Sequence, residues 1–447
     1  MSLVYRFLFV VFFAVYGLLW IDVDWFNWTH ESTVPSHVAS LYSVVDDNFD
    51  ECRLLDVPTW TPSLKKMLNP GYDPLKNCDR SFTPLTRLKK GLVEATTNVS
   101  SYQCVARALE PKSDYRYKEG PWLRLEQNHV FKNDIVEVKC YRTETNSTEY
   151  HFLHHQIWRD DFDEYDSILN STTSSESDLY PKEVEFSISS PSVYVIVVDS
   201  IGASHARRVF PRTLDYLKRN FDAVDIQHVN KVGENSRPNG FAFLFGKMIA
   251  HRQMDMFGMD SIPAEWDYKQ YCKTFLDNST FILKSFEEIG YKTLMAEDWS
   301  KGVFNWPSCV GFEQQPATHY MRPFQIRFEK ERPKLMREIM SKDRCFEDHK
   351  FLMEYLDSFI QVYPDKPKFG FVWATNLAHN SATNPFHADS YIEDFFNHNK
   401  EEVSNYHEMY QIVSMPIVSS TIPSSSSWET MDFDLERLRM MQSARLI

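Results

Sequence analysis

The chain has 447 residues, 43% hydrophobic and 15% aromatic, which is enough apolar material for one large domain and a smaller one and too much for a chain disordered throughout. Its 48 Lys and Arg stand against 62 Asp and Glu, a formal net charge of −14. That balance excludes a nucleic-acid backbone as partner, because phosphate binding needs clustered basic residues.

Residues 1–25 contain an almost uninterrupted apolar run, Phe7 to Ile21, with Arg6 before it and Asp22 and Asp24 after it. It reads as a targeting segment. The run is short of the roughly 20 apolar residues of a full span, and no A-x-A cleavage site follows it, so a retained signal anchor and a cleaved signal peptide both stay open. The basic flank leaves the amino end in the cytosol. The bulk of the chain is then lumenal or extracellular, anchored to the membrane through this segment as a type II protein, or secreted. Glycosylation sequons at Asn27, Asn98, Asn146, Asn170 and Asn278 fit that compartment. So do seven cysteines, none at C-x-x-C spacing. Two bridges are expected among Cys52, Cys78, Cys104 and Cys140, with Cys272, Cys309 and Cys345 following.

Residues 30–158 mix Pro, Gly and short apolar runs such as DIVEVKCY, Asp134 to Tyr141, whose alternation predicts strand. This is a smaller, β-rich, cysteine-containing region. Residues 159–190 are acidic and then Ser/Thr-rich, as in a solvated linker. From 191 to 397 apolar strands alternate with helical stretches, the pattern of an α/β layer fold with a mostly parallel sheet flanked by helices. VYVIVVD, Val193 to Asp199, is a continuous apolar run expected to be buried on both faces. FPRTLDYLKRNF follows, with Pro211 at its start and Leu214, Leu217 and Phe221 at helical spacing. Residues 398–447 lose the rhythm and read as a divergent Ser-rich tail. The sheet is then short of a strand, with an exposed edge.

Ligands of open α/β sheets collect at the carboxyl ends of strands, so Asp199 is placed to hold a cation, or is a turn or N-cap aspartate. Ser236, in GENSRPNGFAFLFG, lies near the expected start of a helix, where unpaired N–H groups and the helix dipole favour anions; it is alternatively an N-cap serine. His379 closes the apolar run KFGFVWATNLAH and falls on the same sheet edge. Glu297 and Asp298 are an acidic pair after GYKTLMA, ranked below Asp199 as site-lining groups.

These motifs together resemble the alkaline phosphatase and sulfatase superfamily. Ser236-Arg237-Pro238-Asn239 followed by Gly246 is similar to the T-x-P-N element of nucleotide pyrophosphatases and phosphodiesterases, with serine for threonine. The chain is most similar to a sulfatase-like family of secreted or membrane-anchored animal proteins, expanded in nematodes and carrying a domain of unknown function; VNKVGENSRPN, GYKTLMAEDW, HYMRPF and FGFVWATNLAH carry the likeness. The resemblance implies an alkaline-phosphatase-like fold and a metal-assisted hydrolase of an anionic phosphate or sulfate ester. Asp199 and Ser236 would share a divalent cation, Zn or Ca, and Ser236 would be the nucleophile. Asn239 would donate a hydrogen bond to the substrate, and His379 would contact substrate or metal. Formylglycine is not expected, since its C-x-P-x-R signal reads S-x-P-x-G at Ser236 to Gly240. The sequence departs from the family in two places: Thr375 stands where two-metal members have Asp, and no Asp-His-Gly element occurs between residues 380 and 447. The fold is therefore expected to be truncated at its carboxyl end, and a catalytically inactive or truncated ectodomain that binds ligands stays open beside the hydrolase.

Overall fold

A computed structural model describes residues 58–96, 101–160, 191–226, 229, 231–254 and 258–401, and the backbone of 409–415. The apolar amino-terminal run, Cys52, the sequons at Asn27, Asn98 and Asn170, and nearly all of the 159–190 stretch lie outside the described residues. No helix among the described residues is long and apolar enough to cross a membrane.

The first strands are antiparallel. A hairpin pairs β1 (Thr86–Lys89) with β2 (Leu92–Ala95), turning at Lys90 and Gly91, both at positive φ. A second sheet has the order β4-β3-β6-β7, formed by β3 (Tyr102–Ser113), β4 (Arg116–Glu119), β6 (Ile135–Arg142) and β7 (Thr148–His155), with β5 (Leu123–Arg124) also on β3. β6 is the strand expected from DIVEVKCY. Cys104 and Cys140 face each other across β3 and β6 and are bridged.

The other sheet is wholly parallel, in the order β10-β9-β11-β8-β12. Its strands are β8 (Val193–Asp199), β9 (Lys292–Glu297), β10 (His319–Tyr320), β11 (Lys368–Ala374) and β12 (Met409–Met415). Every residue of β8 and β11 is buried, as a strand covered on both faces requires. The two-residue period of the pleat divides them between two cores. Tyr194, Ile196, Val198, Leu294, Ala296, Val372 and Ala374 meet Leu217 and Phe221 of α1 (Pro211–Phe221), with Pro211 at its first turn. Val193, Val195, Val197, Met295, Phe369, Phe371 and Trp373 face the other way, onto Phe241, Leu244 and Phe245 of α2 (Ser236–Phe245) and Leu283 and Phe286 of α3 (Ile282–Glu288). The first core also holds side chains of α4 (Asp348–Val362) and α5 (Asp389–His398), and it continues into Ala106, Leu109, Val136, Val138 and Phe152 of the antiparallel sheet.

Two expectations are corrected. Only one bridge links cysteines of the first four; Cys78 pairs instead with Cys345, and Cys272 with Cys309. The segment that ends in Cys345 folds back onto the one that holds Cys78, since Asp79 N donates to Asp343 O at 2.7 Å and Arg344 meets Asp79 at 3.3 Å. The sheet is also not short of a strand on the far side of β8. The stretch after His398 supplies β12, whose seven residues pair in parallel with all of β8. The backbone ladder forms there although the sequence lacks the apolar run of β8.

Candidate functional site

Asp199 is the last residue of β8, and the neighbouring β11 ends level with it, Ala374 pairing with Val198. The chain leaves the strand through Ser200 in the left-handed region, φ 61°, a conformation that costs a non-glycine residue about 1–3 kcal/mol unless its surroundings impose it. The Asp199 carboxyl is 1% exposed. Burial pushes its pKa up, while the Ser236 hydroxyl, the Trp373 indole and the His379 charge pull the other way without reversing the shift. Trp373 Nε1 is buried beside this carboxylate.

Ser236 opens α2 from a loop on the opposite face. Asn235, not Ser236, is the N-cap: its side chain accepts from Arg237 N at 3.3 Å. Ser236 is therefore the first helical residue, and its hydroxyl is free to donate to both Asp199 oxygens, at 3.0 Å to Oδ1 and 2.9 Å to Oδ2. Gly233 makes the preceding loop possible, because a Cβ there would sit 2.5 Å from the Pro238 ring. Asn239 holds the same loop. Its Oδ1 accepts from Val232 N at 2.7 Å, and its Nδ2 donates to Gly233 O and Asn235 O at 2.8 and 2.7 Å. Both amide hydrogens are committed to the backbone, so donation to a substrate would first have to break one of these bonds.

His379 does not end a strand. β11 stops at Ala374, and His379 lies in the following turn, its N–H donating to Thr375 O at 3.1 Å and its exposed ring 3.1 Å from Asn380 Oδ1. It is close enough to favour the ionised form of Asp199. Glu297 ends β9 and accepts from Val303 N at 3.0 Å, with Arg322 at 3.9 Å. Burial raises its pKa to about 7 against the pull of Arg322. Asp298 turns to the backbone after β11, accepting from Thr375 N at 2.7 Å and Asn376 N at 3.1 Å; burial and the nearby Asp348 push its pKa well up. The structure thus brings Asp199 and Ser236 into direct contact, puts His379 and Glu297 within electrostatic range of them, and gives Asp298 to the loop.

One group was not legible as a site. Glu347, His349 and His387 offer donor atoms that all lie within 4.8 Å of one another and could hold a metal ion. Glu347 and His349 adjoin the start of α4, but His387 comes from the turn before α5, and no ligand spacing in the sequence links them. A separate cavity of about 640 Å³ opens at the amino ends of β9 and β10, lined by Lys132, Asp134, Lys292, His319 and Lys366 among others, and not by Asp199 or Ser236.

A family model described as a protein of unknown function, DUF229, matches residues 73–405. No curated protein and no solved structure matches the chain.

Proposed function

Since the chain belongs to the DUF229 family, and its motifs resemble those of sulfatases and phosphodiesterases, we propose that it is a sulfatase-like protein of the secretory pathway that hydrolyses a phosphoric or sulfuric ester through Ser236. The observation that carries the reading is the contact of Ser236 Oγ with both Asp199 oxygens, at 2.9 and 3.0 Å, beside the carboxyl edge of a parallel sheet. An alkaline-phosphatase-like arrangement of sheet and flanking helices, with the ligand over this edge, belongs to the same proposal. Three disulfides support an oxidising compartment, and Asn146 and Asn278, the described sequons, are both exposed.

The chemistry follows from the residues. A serine hydroxyl is a poor nucleophile at neutral pH, and hydrogen bonding to a buried carboxylate orients it without ionising it. A divalent cation, when bound, supplies the positive charge that favours the ionised hydroxyl and offsets the charge of the ester. Asp199 and Ser236 would hold it, an all-oxygen set that suits Ca better than Zn. Among the described residues no set of three His, Cys, Asp or Glu donors gathers around Asp199. The set therefore fits a loosely held ion completed by substrate oxygens and water. Ser236 Oγ forms the new bond to phosphorus or sulfur, the alcohol leaves with the electron pair and takes a proton, and water later opens the serine ester. The first turn of α2 presents its N–H groups toward the anion.

The same shortage of ligands favours a second reading, an inactive ectodomain that binds an anionic ligand. One experiment separates the two. The purified full chain is assayed against nitrophenyl phosphate, bis-nitrophenyl phosphate and nitrophenyl sulfate with Ca, Mg, Mn or Zn. The hydrolase reading expects turnover with at least one ester, reduced at least about a thousandfold by Ser236→Ala at unchanged circular dichroism. Turnover that survives Ser236→Ala removes Ser236 as the nucleophile, and no turnover with any pair of ester and cation leaves the binding reading.

A further inference from the structure

Glu347, His349 and His387 pose an electrostatic problem in a buried place. Their side chains are 3%, 6% and 4% exposed. His387 Nδ1 lies 2.5 Å from Asn384 O, an acceptor, so that nitrogen carries the proton. Its Nε2 then turns a lone pair on the Glu347 carboxylate, 2.9 Å from Oε2 and 3.1 Å from Oε1. His349 Nε2 is buried without a hydrogen bond among the described residues and faces the same Oε2 from 3.9 Å. Lone pairs from three groups converge, and only a positive charge between them, or a proton on an imidazole, makes that stable.

We propose that Glu347, His349 and His387 bind one zinc ion. Two imidazoles and a carboxylate are a zinc donor set, whereas Ca and Mg take oxygen. A tetrahedral ion with ligands at about 2.0–2.2 Å needs donor atoms about 3.3 Å apart. The measured 2.9 and 3.9 Å stand on either side of that value. The Asn384 carbonyl on His387 Nδ1 is the outer hydrogen bond that fixes a ligating imidazole. Lys342 Nζ lies 3.4 Å from Glu347 Oε1; its side chain is 54% exposed and can turn to solvent. With three protein ligands, water completes the coordination. The ion ties the start of α4 to the turn that follows the His379 loop. Asp348, between the two α4 ligands, already reaches that loop through Asn376 Nδ2 at 2.9 Å.

This site is independent of Asp199 and Ser236, and its test is kept separate from activity. The full chain is stripped with a chelator, incubated with zinc, desalted and analysed for metal. Wild type and Asp199→Asn should each retain about one equivalent, and His349→Asn and His387→Asn less than about a tenth. Lys342→Gln should tighten binding by about three- to tenfold, the effect of removing one exposed charge near a dication. Cobalt added to stripped wild type should give the intense visible absorption of a tetrahedral site, saturating at one equivalent, a readout that needs no variant to fold. The proposal is overturned if cobalt gives no such band in wild type, if zinc stays in folded histidine variants, or if it is lost with Asp199→Asn instead.

Discussion

Glu137 is a carboxylate with no exposure, and it is ionised. Burial raises its pKa, but His151 at 2.6 Å, Arg327 at 2.5 Å and Arg107 at 2.8 Å outweigh that and bring it down from 4.5 to about 2. His151 acts as a neutral donor, since burial depresses its own pKa. The folded pKa lies below the unfolded one, so this stabilisation is whole above pH 4.5 and disappears as the pH falls toward 2. It is worth about 3 kcal/mol. Glu137→Gln should cost about that much in urea unfolding at pH 7, and the acid-side loss should flatten in the variant; equal slopes in both proteins would refute the assignment. The alternation of DIVEVKCY shows the strand but not this role, because Arg107 and Arg327 arrive from 30 and 190 residues away. Asp199 and Ser236 were legible for the opposite reason: each ends or begins an element whose type its own neighbours specify. The use of the Asn239 amide was not, since nothing local says whether it faces ligand or backbone.

At the level of elements, β8 and β11 could be read from composition alone, because a strand covered on both faces is apolar throughout. β12 could not. Its place depends on a ladder to β8 more than two hundred residues upstream, with Met415 paired to Asp199. Ending the chain after Glu401 removes that ladder and leaves β8 as the outer strand. The truncated protein is expected to melt several degrees lower and to associate, seen as higher-mass species in size exclusion with light scattering. An unchanged monomer would show that β12 adds nothing. The capping loop gives a smaller effect: Asn235→Ala should lower stability by about 1 kcal/mol, measured by chemical unfolding, because Arg237 N loses its acceptor.

The whole molecule is closed by its longest covalent loop. Cys78 and Cys345 are separated by 267 residues, and the chain between them carries β1 to β10, all the antiparallel strands and three of the five parallel ones. Constraining so long a loop in the unfolded chain is worth up to about 5 kcal/mol, so replacing both cysteines by serine should lower unfolding stability by several kcal/mol while the other two bridges persist. Counting cysteines could not give this pairing, which depends on the return of the chain that puts Asp79 against Asp343. The bridge also lies two residues before Glu347, so the covalent ring and the histidine cluster share one shoulder of the protein. A copy made where thiols stay reduced would start life with that shoulder unfastened. Its vulnerability to proteases would then report the redox history of the compartment that produced it.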